Sequence, residues 1–339
     1  MTTAAEILPT HTPALFASAV ARAAELLRAG EVVALPTETV YGLAANAWDA
    51  EAVQKIFEIK GRPAHNPIIV HVAGIESAKA CASAWPPAAD ALARSFWPGP
   101  LTLVLPRAKS IPDAVTAGGK TVGLRWPSHP FIQAVIRECG FPLAAPSANT
   151  ANHVSPTNAA HVSRDLGGKI PLIVDGGQSQ VGIESTVLDL TTNPPGILRP
   201  GMIHAESLQA ALAGTGLEIR QSGAEPGPLK SPGQLPRHYS PRARLIIASW
   251  KDEAEVAGLM NRLSLPREKV SLIAHTIIPA LPGAGRVSVI PHDAEAFARA
   301  LYAELHRCDD DGAECIIVEA VPNLSEWRAI CDRLERAAS

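Results

Sequence analysis

The sequence predicts a mixed α/β protein with two domains, and three observations support this prediction. The chain has 339 residues, a length that suits about two domains at roughly 150 residues each. Short apolar runs alternate with amphipathic helical patterns along most of the chain, as in α/β folds. A proline- and glycine-rich segment without apolar periodicity, residues 221–243, interrupts this alternation. We therefore expect a large domain at 1–220, a linker at 221–243 and a small α/β domain at 244–339.

The first domain begins with two helices whose ends carry clear signals. Thr12 followed by Pro13 predicts a helix start, and Gly30 predicts its end. Asp49 is a good N-cap for a second helix, which Gly61 closes. The elements that follow are defined by apolar runs and helical patterns. The expected strands are 32–35, 67–72, 101–105, 121–125, 172–174, 185–190 and 197–199, and the further helices are 88–96, 130–139 and 156–166.

The second domain repeats the alternation on a smaller scale. Strands are predicted at 245–248, 270–274, 286–290 and 315–318, and helices at 253–263, 294–306 and 326–338. This order predicts a small open α/β sheet with helices packed against it.

Composition excludes several classes of protein. The net charge is −3, from 30 basic and 33 acidic residues, so a broad nucleic-acid-binding surface is not indicated. Five cysteines, none in a C-x-x-C pair, argue against a disulfide framework or a zinc site and fit a reducing cytosol. The sequence shows no run of about 18 apolar residues and no N-terminal secretory signal. We therefore expect a cytoplasmic protein without a membrane span.

Common catalytic signatures are missing from the sequence. Gly119-Lys120-Thr121 resembles the end of a phosphate-binding P-loop, but Ala114 stands where that motif requires a glycine. The sequence has no G-x-G-x-x-G, G-x-S-x-G or H-E-x-x-H motif. A Walker-type ATPase, a serine hydrolase and a zinc protease therefore lose support.

Polar residues instead follow several predicted strands and helices. The segment 36–43, P-T-E-T-V-Y-G-L, places hydroxyls and a carboxylate after a buried strand, although a capped turn would also explain it. Lys60 and Arg62 flank Gly61 at a helix end, where cations either complement the helix dipole or hold phosphate. Arg125 lies inside an apolar strand and must find an anion there.

Taken together, these segments resemble one protein family. In order they read P-T-E-T-V-Y-G-L, K-G-R-P-x-x-N-P, G-L-R-x-P, P-S-A-N, S-P-T, E-S-T-V and L-R-P-G. This series resembles the YrdC-like family of threonylcarbamoyl-adenylate synthases, and the linker and C-terminal part resemble its long two-domain form. The resemblance implies a YrdC-like twisted mixed-sheet domain followed by a small Rossmann-like open α/β domain.

The resemblance also implies an activity, that of a nucleotidyltransferase. Members of the family make L-threonylcarbamoyl-AMP and pyrophosphate from L-threonine, bicarbonate or carbon dioxide, and ATP, with Mg²⁺ expected on the phosphates. Downstream transferase proteins then pass the threonylcarbamoyl group to an adenosine of tRNA, so contact with tRNA is expected only through these partners. Such a reaction needs no side-chain nucleophile, and no residue of the chain is assigned as a metal ligand.

The family's motifs assign roles to residues of this chain. The implied L-threonine site is Thr39, His71, Arg125 and Ser185, and the implied ATP site is Arg62, Asn66, Thr121, Ser147, Ser155, Arg199 and Tyr239. Lys60 and Arg62 are the implied catalytic residues, acting by position and charge. The linker would close as a lid over the nucleotide through Tyr239. Residues 234–236 of the linker, Q-L-P, depart from the Met, basic residue and Tyr of many relatives.

Three other interpretations remain open. A double-stranded RNA-binding module without turnover is one, since YrdC-like domains have a concave basic surface. Residues 1–220 carry 16 basic and 17 acidic side chains, a net charge of −1, which does not favour it. Carbamoyl transfer in hydrogenase maturation uses a related domain, but the C-x-x-C zinc motifs of that machinery are missing here. The last is a nucleotide-binding α/β protein that has lost its activity.

Overall fold

A computed structural model describes residues 4–221, 229–233 and 238–339, so parts of the predicted linker, 222–228 and 234–237, lie outside the described residues. Within these limits the chain forms two compact units. The first unit is made of Met1–Ala151, Pro156–Gln180 and Glu184–Gln234, and the second is made of Asn152–Ser155, Val181–Ile183 and Leu235–Ser339. Two short segments that precede the linker in sequence therefore belong to the second unit.

The first unit is built on a mixed sheet. Its strands are β1 (Glu6–Pro9), β2 (Val33–Leu35), β3 (Gly42–Asn46), β4 (Val70–His71), β5 (Leu101–Pro106), β6 (Thr121–Arg125), β7 (Leu143–Ala144), β8 (Leu172–Asp175), β9 (Thr186–Asp189) and β10 (Gly196–Arg199). Over the described residues the strand order is β1-β8-β2-β3-β7-β4-β6-β5-β9-β10. The pairs β4–β6 and β5–β9 are parallel, whereas β5–β6 and β9–β10 are antiparallel.

Helices cover both faces of this sheet. They are α1 (Pro13–Arg28), α2 (Ala50–Lys60), α3 (Ile75–Cys81), α4 (Pro87–Phe96), α5 (Asp113–Thr116), α6 (Pro130–Cys139), α7 (Ala159–Leu166) and α8 (Ala205–Ala211). Successive residues of β2 point to opposite faces of the sheet, because side chains alternate along a strand. Val33 and Leu35 pack with α1 and α6, while Ala34 packs with α2 and α4.

Local capping explains where the first helices begin and end. The Thr12 side chain accepts a hydrogen bond from the Leu15 N–H, and Asp49 accepts one from the Ala52 N–H. Gly61 closes α2 with a φ of 60°, a left-handed conformation that glycine adopts without a steric penalty. These predicted boundaries are confirmed to within a residue or two.

The second unit contains an open parallel sheet. Its strands are β11 (Arg244–Ala248), β12 (Val270–Ala274), β13 (Val287–Val289) and β14 (Cys315–Glu319), and its helices are α9 (Glu253–Asn261), α10 (Ala294–Asp310) and α11 (Arg328–Ala338). The order β11-β14-β12-β13, with parallel pairs throughout, is the small open α/β architecture that the sequence predicted. The described residues contain no helix that is both long and apolar enough to cross a bilayer.

Some elements differ from the prediction. The strand expected at 67–72 is limited to Val70–His71, because Pro67 has no N–H and the Ile68 N–H donates to the Val115 carbonyl of α5 and not to a neighbouring strand. The helix expected at 156–166 begins at Ala159, where the Asn158 side chain accepts from the His161 N–H and so provides the cap. Strands β1, β3 and β7 were not predicted; β3 begins inside the segment 36–43.

Candidate active site

Buried polar side chains occupy five neighbouring strands of the first sheet, β4, β6, β5, β9 and β10. His71 and Arg125 end β4 and β6, where they face each other in register. Thr102 lies near the start of β5, Ser185 precedes β9, and Arg199 ends β10. All five residues are at most 4% exposed. Such a row is costly inside an apolar sheet unless its members have partners, so it marks the candidate site.

Arg125 forms a buried ion pair with Glu38. Its Nη2 lies 2.8 Å from Glu38 Oε1, which also accepts a hydrogen bond of 3.0 Å from the Ser128 N–H. Burial alone would raise the pKa of the Glu38 carboxyl, but the Arg125 charge and these hydrogen bonds hold it below its usual value. The protein itself therefore supplies an anion for the strand arginine.

His71 lies beside Arg125 and is uncharged. Burial, followed by the Arg125 charge, lowers the pKa of its imidazole well below the usual range. Among the described residues, neither ring nitrogen has a hydrogen-bond partner, and the same holds for Arg125 Nε and Glu38 Oε2. Buried polar atoms without partners are rare in folded proteins, and they mark places where a ligand or a water molecule can supply the missing bond.

Ser185 is held by two neighbours. Its hydroxyl lies 2.8 Å from the Thr102 hydroxyl. Arg199 donates from Nη2 to Ser185 Oγ and from Nε to the Ser185 carbonyl, both at 3.1 Å. A third donor, Nη1, reaches the Pro232 carbonyl at 3.5 Å. Arg199, which the sequence assigned to the ATP site, thus holds Ser185, which the sequence assigned to the L-threonine site.

The loop between β2 and β3 is a tightly bonded turn. The hydroxyls of Thr37 and Thr39 lie 3.0 Å apart, and the Thr37 hydroxyl donates to the Val40 carbonyl at 2.6 Å. The Ser179 hydroxyl donates to the Thr37 carbonyl at 3.0 Å. The capped turn that the sequence allowed is present, and it places the Glu38 side chain next to Arg125.

Lys60 ends α2 with a fully buried ammonium group. Its Nζ donates to the Ser147 carbonyl at 2.5 Å, to Asn149 Oδ1 at 3.3 Å and to the Asn149 carbonyl. Three acceptors match the three donors of an ammonium. Burial, and then the Arg62 charge, lower the pKa of Lys60 well below its usual value, against the opposing effect of Asp165. Lys60 therefore holds the P-S-A-N segment in place.

Arg62 folds back over the turn that follows α2. Its Nε donates to the Asn66 carbonyl at 3.0 Å, and its Nη2 donates to the Pro67 carbonyl at 2.8 Å. Asn66 is buried, and its Oδ1 has no partner in the described part of the chain. Arg62 and Asn66 thus share one rigid turn next to Lys60.

The predicted site residues divide between the two units. The first unit contains Thr39, Lys60, Arg62, Asn66, His71, Thr121, Arg125, Ser147, Ser185 and Arg199, whereas the second contains Ser155 and Tyr239. Thr121 is half-buried at the start of β6. The Ser155 carbonyl is hydrogen-bonded to His306 Nε2 at 3.1 Å. The Tyr239 ring lies 6.0 Å from the Tyr302 ring and 5.1 Å from the Arg333 guanidinium.

Sequence reasoning missed two members of the site, Glu38 and Thr102. Glu38 lies inside a segment that the sequence had already singled out, but its pairing with Arg125 depends on the fold. Thr102 is a polar residue in the apolar run 101–105, which is a signal that could have found it.

Comparisons with known proteins cover nearly the whole chain. The family model described as telomere recombination (Sua5/YciO/YrdC) matches residues 25–201, and the model of the threonylcarbamoyl-AMP synthase C-terminal domain matches residues 203–339. The threonylcarbamoyl-AMP synthase of Pyrococcus abyssi is 40% identical over 93% of each chain. The chain belongs to the threonylcarbamoyl-AMP synthase family. The Bacillus subtilis member of the family is 41% identical over 94% of this chain and 92% of its own.

Solved structures of the synthase family agree with the fold. The P. abyssi Sua5 protein complexed with L-threonine superposes with a TM-score of 0.88 at 37% identity, covering 99% of this chain and 98% of that one. The expected α/β fold, family, enzyme class and synthesis of threonylcarbamoyl-AMP are therefore confirmed. The roles of individual residues stay predictions.

Proposed function

We propose that the polar cluster of the first unit is where this chain makes L-threonylcarbamoyl-AMP and pyrophosphate from L-threonine, bicarbonate or carbon dioxide, and ATP. The product would serve the threonylcarbamoyl-adenosine modification of tRNA in the cytoplasm, through downstream transferase proteins. The synthase names of relatives that match over nearly the full chain support this assignment.

One observation carries the placement of L-threonine. Among the described residues, both ring nitrogens of His71 and the Nε of Arg125 are buried without a hydrogen-bond partner, and the sequence assigned both residues to this substrate. An amino acid with a hydroxyl group needs a cation for its carboxylate and polar groups for its hydroxyl. Arg125 offers the first and His71 and Ser185 the second. Such dedicated partners reject competitors that would leave them unpaired.

The chemistry fits the cations of the site. The threonine carbamate would attack the α-phosphate of ATP, with pyrophosphate as the leaving group. This step depends on in-line placement and on positive charge near the phosphates, more than on a side-chain nucleophile. Arg62 and Arg199 would contact the nucleotide. Lys60, whose donors bind the segment 147–149, would act by holding that segment and by its charge.

The remaining groups would complete the nucleotide site. Hydrogen bonds to ATP would come from Asn66, Thr121, Ser147 and Ser155. Mg²⁺ would be coordinated by phosphate oxygens, its preferred type of ligand, since the cations and hydroxyls of the site suit the phosphates and not the ion. The linker would close as a lid through Tyr239. Unchanged turnover after deletion of the linker would contradict its proposed role as a lid.

Pyrophosphate release from ATP, measured with and without L-threonine and bicarbonate, tests the proposal. The wild-type protein should need both co-substrates. Arg125→Ala should abolish the dependence on threonine, and Arg62→Ala should raise the KM for ATP. Arg94→Ala is the control, because this side chain is 73% exposed on α4 and pairs with Asp90 of its own helix.

Release that ignored threonine would contradict the proposal. Tight binding of duplex RNA with a steep salt dependence, and without any turnover, would favour the RNA-binding interpretation instead.

A further inference from the structure

We infer that Glu38 recognises the ammonium group of L-threonine, as the anionic half of an ion pair whose cationic half, Arg125, takes the substrate carboxylate. This inference rests on the proposed function and adds a specificity-determining residue to the amino-acid site. The residues assigned to threonine from the sequence are Thr39, His71, Arg125 and Ser185. None of them is an anion at neutral pH, so the ammonium group has no counter-charge among them.

The Glu38 carboxylate is only half satisfied by the protein. Oε1 lies 2.8 Å from Arg125 Nη2 and accepts from the Ser128 N–H at 3.0 Å. Oε2 is buried and has no hydrogen-bond partner within the described residues. A buried, ionised carboxylate oxygen without a donor is unfavourable, and a ligand ammonium offers donors of the matching charge.

The neighbours of Glu38 do not supply that missing cation. His71, in register with Arg125 on the next strand, is neutral because burial and the Arg125 charge disfavour its protonation. His129 is half-buried and its Nδ1 accepts from the Phe131 N–H; burial lowers the pKa of its imidazole, against the opposing effect of the Glu38 charge. Arg125 Nη2 is in ion-pair contact with Glu38, but among the described residues neither Nη2 nor Nε has a hydrogen-bond partner. The ion pair thus leaves an acceptor on Glu38 and donors on Arg125 open.

An α-amino acid is complementary to such a pair. Its carboxylate and ammonium are both attached to the α-carbon, so the zwitterion can bind Arg125 and Glu38 with opposite charges in contact. Two buried charges joined by two ligand charges keep the site neutral as a whole, which limits the cost of burial. Glu38 would therefore select amino acids over hydroxy acids that share the rest of the threonine structure.

The test compares L-threonine with its deamino analogue, (R)-3-hydroxybutyrate, which keeps the carboxylate and the hydroxyl. Affinities for the full chain are measured by calorimetry, without ATP or bicarbonate, in the wild type and in Glu38→Gln. The glutamine keeps an oxygen for Arg125 and Ser128 but removes the charge. We expect Glu38→Gln to weaken L-threonine binding about 10- to 100-fold, the range for a lost charge-assisted hydrogen bond, and to leave the analogue nearly unaffected.

Equal losses for both ligands would overturn the inference, because Glu38 would then only hold Arg125 in place. Unchanged L-threonine affinity would overturn it too. Glu38→Asp keeps the charge and should retain a preference for L-threonine over the analogue, which gives a second variant if Glu38→Gln folds poorly. Failure of the proposed function would look different, because the wild type itself would then neither bind L-threonine nor release pyrophosphate in response to it.

Discussion

Arg199 and Ser185 are joined by two hydrogen bonds of 3.1 Å, one to the serine hydroxyl and one to its carbonyl. Ser185 also contacts the Thr102 hydroxyl at 2.8 Å. A guanidinium assigned to the nucleotide and a hydroxyl assigned to threonine therefore belong to one buried network. Members of such networks depend on one another, because each bond is stronger in a medium of low dielectric constant.

Arg199→Lys tests this coupling. Lysine keeps the charge but loses the planar fork that serves both Ser185 atoms. We expect the KM values for ATP and for L-threonine to rise together, each about tenfold, in assays of pyrophosphate release. Arg94→Lys, on the exposed face of α4, should change neither value. A rise confined to ATP would mean that Ser185 keeps its position without Arg199.

Glu38 gives the fold a dependence on pH. Its pKa is lower in the folded protein than the ordinary value of 4.5, so the unfolded chain takes up the proton first as pH falls. The stability due to Glu38 is therefore fully present above about 4.5 and is lost as pH drops through the folded pKa. The free energy of unfolding in urea should fall more steeply below that pH for the wild type than for Glu38→Gln. Parallel curves would contradict this assignment.

Lys60→Met tests whether Lys60 is needed for turnover, by holding the segment 147–149, or only for the stability of the fold. The change removes donors from acceptors on Ser147 and Asn149, and unpaired buried carbonyls cost about 1–3 kcal/mol each, partly offset because a buried charge also disappears. We expect a modest loss of thermal stability with a loss of turnover of about 100-fold, since the nucleotide segment shifts. Both are measured on one preparation.

Lys55→Met is the matched control on the same helix. Lys55 is 41% exposed and bonds to Glu31 and to the Gly30 carbonyl, so its loss should leave turnover near the wild-type value. Full turnover in Lys60→Met would show that Lys60 has no part in the reaction.

The predictability of the fold varied with the range of the interactions involved. Thr12, Asp49 and Gly61 act within one turn of the chain, and these helix ends were predicted correctly. Strand β1 was not, because it exists through pairing with β8, far along the sequence. The membership of Asn152–Ser155 in the second unit is likewise a tertiary property that no local pattern announces.

In the candidate site, too, local features were predictable from the sequence and long-range contacts were not. The motifs located Arg125 and indicated that it needs an anion, but they could not say that Glu38 provides one within the protein. Thr102 could be singled out as a polar residue in an apolar run, but not its partner, since its contact with Ser185 depends on the pairing of β5 with β9.

Gly182 is the residue of the E-S-T-V region for which the steric requirement is strictest. Its φ is +84°, and a Cβ there would overlap the Arg299 Cα and the Ala298 carbonyl oxygen of α10. Gly283 has nearly the same φ, +79°, but has nothing within 4 Å of its Cβ position. Alanine at Gly283 would therefore cost stability through the left-handed backbone alone, whereas alanine at Gly182 would add the cost of a steric clash.

Gly283→Ala should lower the free energy of unfolding by about 1–2 kcal/mol, the penalty for a left-handed alanine. Gly182→Ala should lower the free energy of unfolding by roughly 1–3 kcal/mol more than Gly283→Ala does. The new methyl group would clash with backbone atoms, which cannot rotate away. Urea unfolding of the full chain gives both values. Ser185 lies three residues beyond Gly182, so only Gly182→Ala should also raise the KM for L-threonine. Equal losses in the two variants would mean that Val181–Ile183 does not pack closely on α10.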